Sequence, residues 1–177
     1  MIQPDYRVLL DEEIWAYMDR SDSFYPPDAV SLTIDQQRAV YNRMCAAFHQ
    51  PHPDGVRTWD VAFGGVPCRV YEADTSAITV VYYHGGGFIV GGLDSHDDVC
   101  AEICAATGYR VISVDYALAP EAVFPACFND AWAAFQAIAA AHGGGIVLAG
   151  DSAGGNLAAA VAPNARGSYD GRIAGQV

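Results

Sequence analysis

Basic residues are scarce in this sequence. Against 21 Asp and Glu there are only 9 Lys and Arg, so the 177 residues carry a formal net charge of -12. No basic patch offsets this excess, and both nucleic acid and an anionic membrane surface would be repelled. The composition therefore argues against either as a partner and fits a soluble globular domain.

A targeting signal and a long apolar run are also missing. The first residues, Met-Ile-Gln-Pro-Asp, supply neither a basic start nor an apolar segment. No apolar run approaches the length needed to span a membrane. From these absences we expect a cytoplasmic protein.

Cysteine provides neither a disulfide framework nor a metal motif. The five cysteines are odd in number and form no Cys-x-x-Cys pair. Cys100 and Cys104 share a helical face, but without histidine ligands they are interpreted as small core residues. We therefore expect no metal and no cofactor. The five are Cys45, Cys68, Cys100, Cys104 and Cys127.

Neither common phosphate-binding glycine pattern occurs. The chain has no Gly-x-x-x-x-Gly-Lys-Ser/Thr segment, and no Gly-x-Gly-x-x-Gly segment opens a helix. Nucleotide binding is therefore not expected.

Two other glycine-rich motifs are present, each directly after an apolar run. His84–Gly87 reads His-Gly-Gly-Gly, and Gly150–Gly155 reads Gly-Asp-Ser-Ala-Gly-Gly. In a chain of this composition, Gly-x-Ser-x-Gly would arise by chance about 0.08 times and His-Gly-Gly-Gly about 0.005 times. Their joint presence indicates a functional site.

The surroundings of the second motif indicate a nucleophile. Ile146–Ala149 is predicted to be a short buried strand and Ala153–Ala162 an alanine-rich helix. A serine on such a strand-to-helix turn projects its oxygen from the end of the sheet, and the glycines permit the tight backbone. Ser152 is therefore the candidate catalytic residue.

The first motif supplies what such a serine needs. Attack on an ester carbonyl produces a tetrahedral anion, which backbone N–H groups can stabilise if they already point at it. Gly85, Gly86 and Gly87 follow the predicted strand Ile78–Tyr83 and leave their amides unobstructed. The amide of Ala153 opens a helix whose dipole favours negative charge. These residues are predicted to form an oxyanion hole.

Four blocks of sequence, in this order and spacing, resemble one known family. They are His84–Phe88, Asp115–Glu121 (Asp-Tyr-Ala-Leu-Ala-Pro-Glu), Phe124–Ala126 and Gly150–Gly155. The likeness runs from about Val56 to the last residue. It is to the hormone-sensitive-lipase-like branch of the α/β-hydrolase superfamily, which contains many bacterial carboxylesterases.

The resemblance implies an α/β fold with a mostly parallel twisted sheet flanked by helices. It also implies that Ser152 is the nucleophile and that the oxyanion donors are the amides of Gly86, Gly87 and Ala153. His84 and Gly85 would shape the loop, and Asp151 would hold the turn rather than act in a catalytic triad.

The chain departs from the family pattern in two ways. Ala117 stands where the family usually has arginine, so this segment is expected to be less rigid. In the family an acid and a histidine base follow the nucleophile, but the stretch after Ser152 contains one acidic residue, Asp170, and no histidine. We therefore expect the carboxyl-terminal part of the fold to be absent and the chain alone to be nearly inactive.

No histidine of this chain is an evident substitute base. His142 is expected to cap a helix as a cation, and His96 to serve as a surface or first-turn polar group. His49 and His52 belong to a proline-rich linker and are expected to be solvated. A base must in addition be oriented by a carboxylate.

Two regions are predicted. Residues 1–55 contain helices at Asp11–Asp19 and Ile34–His49 and a linker at Gln50–Gly55, and the resemblance assigns them to a cap. Residues 56–177 form the core, where strands alternate with helices as in a mostly parallel sheet. The predicted core elements are strands at Arg57–Phe63, Cys68–Glu72 and Arg110–Val114, and helices at Ser95–Thr107 and Ala126–Ala141.

Two features near the end of the chain carry further expectations. Pro163 should stop or kink the helix that follows Ser152. Arg172–Val177 is predicted to be an apolar strand whose free edge needs covering, by a complementing chain or by self-association.

The motifs together predict a serine esterase that acts on small acyl esters through an acyl-serine intermediate. Amidase or formamidase chemistry could use the same turn and loop. A noncatalytic small-molecule-binding module, or a truncated inactive homologue, is the alternative that fits a chain without a base.

Overall fold

A computed structural model describes residues 6–177; the first five residues of the predicted amino-terminal region lie outside it. Six strands form one sheet in the order β1-β2-β4-β3-β5-β6. The strands are β1 Arg57–Phe63, β2 Val66–Glu72, β3 Ile78–Tyr83, β4 Arg110–Val114, β5 Gly145–Gly150 and β6 Ile173–Gln176. The helices are α1 Tyr6–Leu9, α2 Glu12–Asp22, α3 Ile34–Phe48, α4 Asp97–Thr107, α5 Ala126–Ala141 and α6 Ala153–Ala165, with short 3-10 turns at Ala29–Ser31 and Asp94–His96.

The sheet is mostly parallel, as the alternation of strands and helices predicted. β3 runs parallel to both β4 and β5, and β6 runs parallel to β5. Only β2 pairs in the antiparallel sense, with β1 and with β4. The β1–β2 hairpin turns through Gly64 and Gly65, whose φ angles of 61° and 85° suit the two-residue turns typical of hairpins.

Helices cover both faces of the sheet. Strand β3 alternates between them, because Val81 and Tyr83 pack with α5 and α6 while Val80 and Tyr82 pack with α4. The larger core contains the fully buried Phe135 of α5. Strands that are buried on both sides in this way read as continuous apolar runs, which is how they could be found in the sequence.

Cys100 and Cys104 are core residues, as predicted. All five cysteines are free, and four are buried. Cys100 and Cys104 of α4 have no exposed surface and face the same cluster.

The amino-terminal helices have clear start signals. Asp11 caps α2 by accepting a hydrogen bond from the amide of Ile14 at 2.9 Å. Thr33 and Gln36 form a reciprocal capping box at the start of α3. The predicted start of α2 was thus nearly correct, but the helix continues three residues beyond the predicted end at Asp19.

The expectation for Pro163 was wrong. Helix α6 continues through it to Ala165, because the proline lies in the last turn, where it removes a single backbone hydrogen bond. Buried Val161 and Ala165 anchor this turn on the core. No helix within residues 6–177 is long and apolar enough to cross a membrane.

Candidate active site

Ser152 lies on the turn between β5 and α6. Its backbone has φ 50° and ψ -115°, a left-handed conformation that is strained for a residue with a side chain. The side chain is exposed and forms no capping hydrogen bond with α6. Such a turn holds the hydroxyl at the end of the sheet, accessible from solvent.

Two glycines of the motif allow this turn to pack tightly. A Cβ atom built on Gly154 would overlap the carbonyl oxygen of Tyr83, the last residue of β3. A Cβ atom on Gly150 would lie 2.5 Å from that same oxygen. Because Tyr83 and Gly150 are paired in the sheet, the start of α6 presses directly against the end of β3. The loop that follows β3 is thereby brought beside Ser152.

That loop, Gly85–Gly87, adopts conformations that favour glycine. Gly86 and Gly87 have φ angles of 122° and 61°. A Cβ atom on Gly85 would overlap the carboxylate of Asp151, and one on Gly86 would overlap the carbonyl oxygen of Val90. The contact with the Ser152 turn therefore requires glycine at position 85. Gly86 is required by its φ angle and its contact with Val90, and Gly87 by its φ angle alone.

The amides of the loop are not equivalent. The N–H of Gly85 donates to Oδ1 of Asp151 at 2.8 Å, so Gly85 does not supply a free oxyanion donor as the sequence suggested. The amides of Gly86, Gly87 and Ala153 donate to no group within residues 6–177. These three remain able to bind an anion, with Ala153 at the start of α6.

Asp151 fastens the Ser152 turn to its surroundings. Besides the Gly85 amide, its Oδ1 accepts the hydroxyl of Tyr82 at 2.9 Å and faces Nε2 of His96 at 3.3 Å. Burial would raise the pKa of this carboxyl, but the hydrogen bonds from His96, Tyr82 and Gly85 hold it at about 2. Asp151 is therefore ionised at neutral pH and holds the loop through Oδ1.

His84 is a buried, neutral part of the loop. Its Nδ1 lies 2.7 Å from the carbonyl oxygen of Gly85, and burial lowers its pKa to about 4. The ring of Tyr116 stacks on the imidazole at 4.4 Å, and the hydroxyl of Tyr116 donates to the His84 carbonyl at 2.6 Å. These contacts position the first residue of the loop.

His96 is not the surface residue that the sequence suggested. It is buried, with Nδ1 2.8 Å from Oγ of Ser95 and Nε2 facing Asp151. Its ring packs near those of His84 and Tyr82. Since Asp151, Tyr82 and His84 are not sequence neighbours of His96, no local pattern predicts that it is buried.

The expectations for the other histidines were partly wrong. His142 does end α5, but burial and the nearby guanidinium of Arg110 lower its pKa, so it is not a cationic cap. Arg172 supplies that charge and donates to the His142 carbonyl at 2.5 Å. His49 is exposed, as expected, whereas His52 is half-buried; both contact the carboxylate of Asp97.

An apolar cavity of about 340 Å³ opens beside the loop and α6. The side chains that line it are mostly apolar and aromatic, among them Phe88, Ala117, Phe124, Phe128 and Leu157. The segment around Ala117 is held through its backbone, since the Ala117 amide donates to Asp130 and the Ala119 amide donates to the Phe88 carbonyl. Ala117, which stands where the family usually has arginine, lies in the cavity wall. The segment around it is nevertheless held by these backbone hydrogen bonds.

The chain is similar to known hydrolases. A family model described as alpha/beta hydrolase fold matches residues 80–177. Esterase LipI of Mycobacterium tuberculosis is 42% identical over 153 residues, which make up 76% of this chain and 47% of that protein. Carboxylesterase NlhH of the same species is 46% identical over 110 residues, 57% of this chain and 34% of that protein. This chain thus spans half or less of the length of these relatives.

The solved structures agree with this assignment. An esterase from the bacterial hormone-sensitive lipase family superposes with a TM-score of 0.82 at 31% identity, covering 94% of this chain and 56% of the other. An esterase from Pyrobaculum calidifontis superposes with a TM-score of 0.80 at 31% identity, covering 94% of this chain and 57% of the other. The sheet order, the Ser152 turn and these similarities together show that the chain belongs to the α/β-hydrolase family, in its hormone-sensitive-lipase-like branch.

Proposed function

We propose that this chain carries the nucleophile and the oxyanion hole of a serine carboxylic-ester hydrolase that acts on short acyl esters. Ser152 is the nucleophile, and the amides of Gly86, Gly87 and Ala153 bind the oxyanion. The observation that carries the proposal is an exposed hydroxyl on a strained backbone, next to a glycine loop whose amides have no partner within residues 6–177.

The proposed reaction has two stages. Oγ of Ser152 forms a bond to the acyl carbon while its proton passes to a general base, and the electron pair of the carbonyl moves onto oxygen. The amide donors stabilise that oxygen, and each such donor contributes about 3 to 4 kcal/mol in related hydrolases. Collapse expels the alcohol, and water then hydrolyses the acyl-serine.

In this proposal the general base is not one of residues 6–177. No imidazole within residues 6–177 forms a hydrogen bond with Ser152, because His84 and His96 are both committed to the loop and to Asp151. Loss of the base in a serine hydrolase reduces turnover by up to about a million-fold. We therefore expect slow acylation and slow release by the 177-residue chain alone.

The substrate class is supported by the cavity and by the relatives. An apolar space of about 340 Å³ beside α6 suits a short acyl chain better than a long one. The relatives named esterase and carboxylesterase support an ester rather than an amide. The reaction needs no cofactor.

The amino-terminal helices are assigned to the acyl side of the site in the same proposal, with residues 1–55 as a cap and residues 56–177 as the core. Arg38 of α3 supports this, since it donates to the carbonyl oxygens of Ile89 and of Ala119, and Ala119 lines the cavity. A cytoplasmic location fits the five free thiols.

The test exploits slow turnover. The purified chain is incubated with p-nitrophenyl acetate, and its intact mass and digested peptides are measured over time. An acyl-enzyme that forms faster than it hydrolyses should appear as one added acetyl group on the peptide that contains Ser152. Ser152→Ala should abolish this signal, while Ser168→Ala, at an exposed serine outside the site, should leave it unchanged.

The other functions give different results. Acetylation that persists in Ser152→Ala, or that never forms, would refute the assignment of the nucleophile. A module that only binds small molecules would retain the ester without acylation. An amidase would be acylated by a p-nitroanilide at least as fast as by the matching ester.

A further inference from the structure

We propose that His49, His52 and Asp97 bind a divalent transition-metal ion of the Zn²⁺ class. One potential ligand atom from each of the three residues lies within 4.8 Å of the other two. Nε2 of His49 is 3.3 Å from Oδ2 of Asp97, and Nε2 of His52 is 2.6 Å from the same oxygen. This site is separate from the Ser152 turn and does not depend on the proposed esterase function.

The backbone brings the two imidazoles together. His49 directly follows the last residue of α3, and His52 lies three residues further on, between Pro51 and Pro53. The prolines restrict the backbone of this short segment. As a result the two rings face the same carboxylate, with their centroids 6.1 Å apart.

The carboxylate is oriented by groups behind it. Oδ1 of Asp97 accepts the hydroxyl of Tyr71 at 2.7 Å and Nη1 of Arg69 at 3.0 Å, which leaves Oδ2 for the imidazoles. The Asp97 side chain is only 15% exposed. Supporting hydrogen bonds of this kind fix the ligands of metal sites and tune their affinity.

The local charge favours a cation. Arg69 brings one positive charge, but it is shared with Asp60 and Asp94 as well as Asp97. Asp98 adds a further carboxylate beside the linker, where it accepts the amide of Gln50 at 2.9 Å. Four carboxylates against one guanidinium leave the surroundings of the two histidines negative.

The geometry needs only a small adjustment. Two donors about 2.0 Å from a tetrahedral zinc ion lie about 3.3 Å apart, which matches the separation of His49 and Asp97. The shorter His52 contact would lengthen by about 0.7 Å on binding. Each imidazole would carry its proton on Nδ1, leaving the Nε2 lone pair for the metal.

Water can complete the coordination. Two imidazoles and one carboxylate make a ligand set with open positions that zinc and iron both accept. A cavity of about 560 Å³ reaches His49 and Asp97 and has room for water ligands. A bound ion would join the linker to the start of α4 and so hold α3 on the core.

The test is a metal titration of the chelator-treated 177-residue chain, with Zn²⁺ competed against a chromophoric chelator and Co²⁺ as the spectroscopic probe. We expect one ion per chain, a higher Tm with Zn²⁺, and Co²⁺ absorption bands typical of four-coordinate nitrogen and oxygen ligation. Paramagnetic NMR of the Co²⁺ form should show two shifted imidazole N–H signals.

The decisive comparison is His49→Gln/His52→Gln against His142→Gln, a histidine outside the cluster. Loss of a supporting hydrogen bond at a metal site lowers affinity about 10- to 100-fold, so loss of two ligands should lower it by at least about 100-fold. His142→Gln should bind as the wild-type chain does.

Two results would overturn the proposal: no Zn²⁺ bound by the wild-type chain at micromolar concentration, or equal affinity in the double variant. Either would leave these residues as a hydrogen-bonded cluster only. If the double variant does not fold, as judged by far-UV circular dichroism, the two N–H signals of the wild-type Co²⁺ form decide the question instead.

Discussion

Asp97→Asn should measurably destabilise the metal-free chain, because one carboxylate there joins three parts of the structure. Asp97 opens α4, contacts the linker through His49 and His52, and contacts β2 through Arg69 and Tyr71. Asparagine keeps the size of the side chain but removes its charge. The variant therefore isolates the electrostatic contribution of the carboxylate.

The magnitude follows from the pKa of Asp97. Burial would raise this pKa, but hydrogen bonds from Tyr71, Arg69, His52 and His49 lower it from 3.8 to about 2. At about 1.4 kcal/mol for each tenfold change in the ionisation constant, this corresponds to about 2 kcal/mol of stabilisation at neutral pH. The side chain is only 15% exposed, so little of this is lost to solvent screening.

The sign of the pH dependence follows as well. The pKa in the folded state lies below that of the unfolded chain, so the stabilisation is present above pH 3.8 and is lost as the pH falls through about 2. By this relation roughly half of it should remain at pH 3. The difference in unfolding free energy between wild type and variant should therefore shrink by about half between pH 7 and pH 3.

Urea unfolding with EDTA present, at pH 7 and pH 3, provides the measurement. Asp94→Asn is the matched control, since Asp94 contacts the same Arg69 but its side chain is 94% exposed. That control should change stability far less. The reasoning fails if Asp97→Asn matches the control at pH 7, or if its effect does not decrease at pH 3.

Two further predictions concern the packing of the glycine loop. Gly154→Ala would place a methyl group against the carbonyl of Tyr83 and should lower the free energy of unfolding by about 1 to 3 kcal/mol or more. The control Gly143→Ala adds a methyl group in open space and should not destabilise the chain. Thermal unfolding compares the two variants, and equal Tm values would contradict the packing argument. Tyr116→Phe removes the buried hydrogen bond to the His84 carbonyl and should lower the free energy of unfolding, measured in urea, by about 1 to 3 kcal/mol. An unchanged urea midpoint would show that this hydrogen bond makes no net contribution to stability.

Much of the fold was predictable because its signals are local. The run Ile78–Tyr83 is apolar along its whole length, as a strand covered on both faces must be, and its predicted bounds were correct. The start of α6 could be predicted because the Gly-x-Ser-x-Gly motif specifies a strand-to-helix turn. The predicted start of α3 at Ile34 was also correct.

The misses share a different cause, which is contact between residues far apart in the chain. The glycine motif alone did not separate Gly85 from the two glycines after it, because its amide is taken by Asp151. His96 looked like a helix-start residue because nothing near it in sequence shows that it is buried against Asp151. His52 looked solvated because a proline-rich linker usually is, yet Asp97 fixes it. In each case a carboxylate far away in sequence decided the outcome.

The conformation of the glycine loop must be fixed by its surroundings, because its backbone amides would otherwise form hydrogen bonds with nearby acceptors. The amides of Gly86 and Gly87 have no acceptor within residues 6–177, which is unfavourable unless the surrounding contacts fix the backbone. Asp151 holds one end of the loop through Gly85, and Arg38 of α3 holds the other through the carbonyl of Ile89 at 2.8 Å. Because Arg38 belongs to α3, an amino-terminal helix contributes to the conformation of the chain next to this loop. In the proposed mechanism, these contacts keep the amides of Gly86 and Gly87 available to bind the oxyanion.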